Sequence, residues 1–160
     1  QSVALNVFSN NNRLVLAVCE TPQPMKITIK PGQLLTLHSS AAGKILLSEL
    51  SEGELDDIIS QVGLQSMTPN TITDKDTLIK ELELTRNRGY ALCNGESYWA
   101  GSVSCALRDH TGIIIGSICI YGPMQDFVDD NLNSYIKECV FSCQRISQLL
   151  GYSFSQDQHI

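Results

Sequence analysis

The sequence predicts a single α/β domain of the α+β kind, with strands and helices sharing one core. Three observations predict it. The chain has 160 residues, 42% hydrophobic and 18% charged, which suits one apolar core and not a disordered segment. Strand-forming runs joined by turn residues fill the N-terminal third and return over 101–123. Capped stretches with apolar residues at three- and four-residue steps lie between and after them.

Ser2–Ser9 and Arg13–Glu20 read as two strands joined by Asn10-Asn11-Asn12, residues that tolerate the φ values of a hairpin turn. Thr21-Pro22-Gln23-Pro24 breaks the second strand, Met25-Lys26-Ile27-Thr28-Ile29 alternates as a further strand, and Pro31-Gly32 marks a turn. In His38-Ser39-Ser40-Ala41-Ala42-Gly43-Lys44, hydroxyl caps precede three residues with little or no side chain. The first amides of a helix lack internal partners and carry the positive end of its dipole, so this turn suits a small anion such as a carboxylate. It is equally the pattern of an ordinary capped helix. Ser51 and Glu54 stand in capping-box register for a second helix that Gly63 closes. Asp74 opens a third, with Leu78, Leu82 and Thr85 as its stripe, Arg86 and Arg88 in its last turn and Gly89 beyond it. Asp129–Leu150 is a longer helix whose Leu132, Ile136, Cys139, Val140, Cys143, Ile146 and Leu150 offer one apolar face, and the polar tail over 152–160 frays.

Asp109-His110-Thr111-Gly112 is a turn between two strands. With Asp109 facing Gly112, Arg108 meets Ile113 and Ser102 meets Cys119. One face then carries Val103, Leu107, Ile114, Ile118 and Ile120, with Cys105 and Gly116 in the same layer. The other carries Ser102, Ser104, Ser117, Cys119 and Tyr121. That second face either meets solvent or lines a polar pocket. It holds no charge, its Cys119 is a poor choice for water, and Trp99 and Ala100 flank it, which favours the pocket.

The formal net charge is −6, and the 11 Lys and Arg are scattered, so no phosphate-binding surface arises from this segment. The six cysteines form no CxxC and fall mostly in apolar runs, which reads as reduced thiols in a cytoplasmic protein. Cys139 and Cys143 sit four apart without a third or fourth ligand at a zinc-like spacing, so neither a metal nor a cofactor is expected. No apolar run is long enough to cross a bilayer.

Four blocks in order carry a resemblance: Leu37-His38-Ser39-Ser40-Ala41-Ala42-Gly43-Lys44; Thr68-Pro69-Asn70-Thr71-Ile72-Thr73-Asp74; Glu81-Leu82 through Arg86-Asn87-Arg88-Gly89-Tyr90-Ala91 to Glu96; and Ser117-Ile118-Cys119-Ile120-Tyr121-Gly122-Pro123. Together they resemble the C-terminal effector-binding domain of IclR-type bacterial transcription regulators over nearly the whole chain. The resemblance implies a GAF-like fold, a curved antiparallel sheet flanked by helices, over residues 1–160. It implies a pocket for a small metabolite, often a carboxylate. It also implies a homodimer or homotetramer that reaches operator DNA through an N-terminal winged helix-turn-helix not found in this chain.

Carried over by position, the family pocket places the amides of Ala41 and Ala42, with Gly43 beside them, against the ligand's carboxylate. Ser102, Cys119, Tyr121 and Cys93 face the ligand, with Ala100 beside them, and Leu35 and Ile27 form apolar wall. Tyr121 stands where Ser is common and Cys93 where an acid is common, so the effector cannot be inherited from relatives. Two rivals remain: a thiol-dependent redox enzyme using Cys93, Cys105 or Cys119, and a bare dimerisation module. His38, near the expected pocket, reads as packing or capping its loop and not as a base. Gly43-Lys44 is not a phosphate-binding loop, because His38 occupies the first glycine position and Ile45 the magnesium-binding hydroxyl position.

Overall fold

A computed structural model describes residues 1–98 and 100–154. The expectations for Trp99 and for the tail over 155–160 lie outside the described residues. Strand β1 (Ser2–Ser9) pairs antiparallel with β2 (Asn12–Cys19) through the expected asparagine turn, in which Asn10 and Asn11 have φ of 50° and 58°. The expected strand over Met25–Ile29 is a correction. That stretch makes no ladder, and β3 is the short Leu34–Leu35 just after the Pro31-Gly32 turn. Pro22 and Pro24 remove donors ahead of it, and alternation alone cannot distinguish a strand from a strap crossing a sheet.

Helices α1 (Ala41–Leu47), α2 (Glu52–Val62) and α3 (Lys75–Arg88) follow, capped by Ser40, Ser51 and Asp74. The Ser51–Glu54 capping box is present, and Gly89 ends α3 in the left-handed conformation at φ 77°. Then come β4 (Ala91–Asn94), β5 (Ala100–Arg108) and β6 (Ile114–Pro123), a 3₁₀ turn, and α4 (Asp129–Leu149). The sheet has six strands in the order β3-β2-β1-β6-β5-β4, every neighbour antiparallel.

The β5–β6 register differs from the simplest hairpin. The turn closes with Gly112 N–H on the Asp109 carbonyl at 3.0 Å, as expected, but Asp109 N–H then pairs with Ile113 at 3.1 Å and not with Gly112. A second shift follows, since Arg108 opposes Ile114 and Leu107 opposes Gly116, leaving Ile115 as an extra residue. Two one-residue shifts move the partner of Ser102 from Cys119 to Tyr121 and set Cys119 opposite Ser104. Because the side-chain period is two, they cancel for the rest of the hairpin, so the two faces survive. Ile114, between the shifts, changes sides and packs toward α1 with Ala91 and Ile45.

On one face α4 covers β5 and β6, where Val103, Cys105, Leu107, Cys139, Cys143 and Phe127 form a core. On the other, α1 lies against the sheet, backed by α2 and α3 through Leu37, Leu47, Leu55, Leu78 and Leu82. No helix of the described residues is long and apolar enough to cross a membrane.

Candidate functional site

Beside α1, between the sheet and the strap over 21–33, lies a cavity of about 450 Å³. Of the ten residues expected at a ligand, Ile27, Leu35, Cys93, Ala100, Ser102, Cys119 and Tyr121 line it together. Ala41, Ala42 and Gly43 do not. Ala41 and Ala42 are fully buried, and of their turn Ser40 is the residue in the lining. Ser40 Oγ accepts the Gly43 amide at 3.1 Å, and the Ala42 amide is directed at the Cys119 sulfur. Gly43 answers a packing need, because a Cβ there would stand 2.0 Å from the Leu37 carbonyl oxygen. Ser104 and Ser117, on the same sheet face as Ser102, lie beneath α1. Ser104 donates to the Ile118 carbonyl at 2.7 Å and Ser117 to that of Ala42 at 3.5 Å.

The lining also holds residues that sequence reasoning passed over: Thr28, Ile29, Gln33, Thr36, Met67 and above all Arg13. Arg13 shares an inward-facing register with Val15 on β2, and an arginine at such a position is the signal that would have found it. Its side chain is buried, with Nη1 donating to Asn6 Oδ1 at 2.9 Å and Nε without a partner. Desolvation lowers its pKa from the ordinary value, opposed by Cys119, Cys93 and Tyr121. The Tyr121 hydroxyl is likewise buried without a hydrogen-bond partner, and desolvation raises its pKa. No aspartate or glutamate lines the cavity among the described residues.

Burial pushes the Cys93 thiol up to about 12, with Glu96 adding to the effect, and the Cys119 thiol up to about 11. Both are therefore protonated at neutral pH, and a protonated thiol is a poor nucleophile, which leaves the redox reading without an activated group here. Cys105, the third candidate thiol, lies on the opposite face of the sheet under α4, where its sulfur and those of Cys139 and Cys143 lie within 4.8 Å of one another. Helix spacing reveals two of these thiols, and β5 supplies the third. Cys139 and Cys143 donate to the backbone carbonyls of Ile118 and Cys105, each at 3.6 Å.

His38 points away from the cavity, with Nε2 donating to the Gln65 carbonyl at 3.0 Å, which is the loop-fastening role expected of it. Lys44 is 1% exposed and ties three elements together, its Nζ meeting Glu96 at 2.5 Å, Glu81 at 3.2 Å and the Leu92 carbonyl at 2.8 Å. Glu96, the acid near Cys93 in sequence, is therefore engaged outside the lining.

The family profile for the bacterial transcriptional regulator IclR C-terminal region matches residues 1–148. This chain belongs to the IclR family. Among relatives, this IclR-family chain is 33% identical over 153 residues to the HTH-type transcriptional repressor AllR of Escherichia coli strain K12, covering 94% of the chain and 56% of AllR. AllR of Salmonella typhimurium is 30% identical over the same shares. Among solved structures, Thermotoga maritima IclR superposes with a TM-score of 0.87 at 30% identity, covering 95% of this chain and 62% of that one. The Agobacterium tumefaciens repressor BlcR gives 0.86 at 29%, covering 96% and 61%. The inducer-binding domain of PobR from Acinetobacter, a double mutant in complex with 3-hydroxybenzoic acid, shares the fold at a TM-score of 0.77 and 22% identity, covering 94% and 87%. The chain thus spans a little over half the length of the curated relatives, and it is an effector-binding domain of IclR type.

Proposed function

We propose that this domain senses a small carboxylate metabolite in the cavity beside α1 and so controls the grip of a DNA-binding segment, outside this chain, on its operator. The observation that carries the reading is the cavity itself: bounded by sheet and strap, and free of acidic lining among the described residues in a protein of net charge −6. An anionic ligand meets no like charge there, although the protein as a whole is acidic. Ile27 and Leu35 supply apolar wall, Ser102, Cys119 and Tyr121 form a neutral polar floor, and Cys93 and Ala100 close one side. Ser40 presents the turn that leads into Ala41, Ala42 and Gly43.

The curated relatives are repressors, and the PobR domain holds an aromatic acid, which supports a regulator over an enzyme. We place its work in the cytoplasm, on operator DNA, as a homodimer or homotetramer. A coupling of about 1 to 3 kcal/mol between ligand and DNA changes operator affinity roughly 5- to 150-fold, enough for a switch. The test is a thermal-shift screen of small carboxylic acids, followed by operator gel shifts of the full-length protein with each hit. A hit that raises the melting temperature and changes operator affinity is expected; a domain indifferent to every acid is a scaffold, and the reading falls.

A further inference from the structure

Lys44 shows what this fold does with a buried cation whose partners are internal: it surrounds the ammonium with two carboxylates and a carbonyl. Arg13 is treated otherwise. It is 9% exposed and is the charged residue of the cavity lining, yet no carboxylate of the described residues meets it. Asn6 takes Nη1, and Asn6 is itself fixed by its Nδ2 on the Ala4 carbonyl at 3.2 Å, so the guanidinium plane is held from one side. Nε is buried without an acceptor, and Nη2 has none among the described residues. A guanidinium cannot shed its proton in a protein, so burial leaves a charge that lacks its counter-charge. Nε is closed off by the surrounding protein, so the donor that the guanidinium offers the cavity is Nη2, where a carboxylate oxygen meets both an N–H and the unpaired charge.

The second unpartnered polar atom of the same lining, the Tyr121 hydroxyl, belongs to β6, with β1 between it and β2. Two strand spacings, roughly 10 Å, separate the two strands, and along β1 Tyr121 stands level with Ser2 and Arg13 with Phe8, so the two groups sit at different ends of the cavity. We propose that the effector is a small acid whose carboxylate docks against the Arg13 guanidinium at its free Nη2 donor. Arg13 is then the residue that selects acids over their neutral analogues. This rests on the sensing function proposed above and names the contact that gives it specificity.

The probes are pyruvate, glycolate, malonate and 3-hydroxybenzoate, each paired with its carboxamide and titrated calorimetrically into the wild-type protein, Arg13→Gln, Arg13→Lys and Tyr121→Phe. Gln keeps a donor for Asn6 Oδ1 while removing the charge, and Lys keeps the charge while removing the fork. At least one acid is expected to bind the wild type with its amide failing, Arg13→Gln to weaken it roughly tenfold to a hundredfold, Arg13→Lys to weaken it less, and Tyr121→Phe, remote from the carboxylate, to leave it within about twofold. Unliganded Arg13→Gln is expected to melt no lower than the wild type, because a stranded charge has gone. An acid that binds both Arg13 variants as it binds the wild type places the carboxylate elsewhere and overturns this proposal while leaving the sensing function intact. A marked drop in the unliganded melting temperature of Arg13→Gln marks a structural cation and also overturns it. Failure of every acid to bind the wild type removes the sensing function and this proposal together.

Discussion

Lys44 follows immediately on Gly43, and the two residues fix α1 by opposite means, one by absence of bulk and one by charge. With its ammonium enclosed by Glu81, Glu96 and the Leu92 carbonyl, Lys44→Met leaves two carboxylates in a largely dry site. Removing one member of a buried ion pair typically costs about 3 to 5 kcal/mol, and a urea titration of Lys44→Met is expected to show a loss of that order. His38 makes stability depend on pH in a known direction. Burial lowers its pKa below the ordinary value, against the opposing bond to Gln65. Unfolding restores about 6.5, so below that pH the unfolded chain holds the extra proton and stability falls as pH drops toward the folded value; above it the contribution is complete. Urea midpoints measured from about pH 7.5 to about pH 5.5 should decline, and His38→Gln should flatten that decline. A His38→Gln profile identical to the wild type would assign the slope to other groups. At this scale the site was half legible. Ser102, Cys119 and Tyr121 could be read from strand alternation, whereas Arg13 could not be told from the other scattered cations without knowing which face of β2 is covered.

The elements show where local pattern sufficed and where it failed. Caps name helix starts because the orphan amides need oxygen acceptors within three residues, and Ser40, Ser51 and Asp74 all act as read. Hairpin faces were legible because two shifts of one residue cancel, but the true partners of Ser102 and Cys119 were not, since nothing in the residue types marks Ile115 as extra. The strap over 25–29 failed for a different reason: alternation reports that one side is covered, and here the cover is the cavity and not a neighbouring strand. Gly101 shows how the far face depends on one element's lack of side chain. It pairs with Gly122, and Phe127, leading into α4, sits over both. A Cβ on Gly101 would stand 2.5 Å from the Phe127 ring, so Gly101→Ala must displace the anchor of α4. Overpacking of this kind costs about 1 to 3 kcal/mol, readable by thermal denaturation, and the loss should shrink when Phe127→Leu is added.

For the whole molecule, the two faces of the sheet have different duties. The face under α4 is filled by side chains, whereas the face beside α1 keeps a cavity closed by a strap with few bonds of its own. Gly32 N–H on Val15, Val15 N–H on Gln33 and Gln33 N–H on Lys30 fasten the C-terminal end of that strap, and Thr21 N–H on Ser2 Oγ fastens its start. Between them the amides of Lys26, Ile27 and Thr28 have no acceptor among the described residues, although Ile27, Thr28 and Ile29 line the cavity. Segments held this way open at far lower free energy than ladder strands, so these amides are expected to exchange with solvent quickly while those of β1 and β6 stay protected. A bound acid stabilises the closed form by mass action, about 2.7 kcal/mol at a hundredfold excess over its dissociation constant. Hydrogen exchange with and without a binding acid should therefore slow Lys26, Ile27 and Thr28 more than any amide under α4, because the ligand touches the strap directly and reaches the far face only through the sheet. Equal slowing on both faces would mean that the ligand stabilises the fold globally and that the strap is not what it closes.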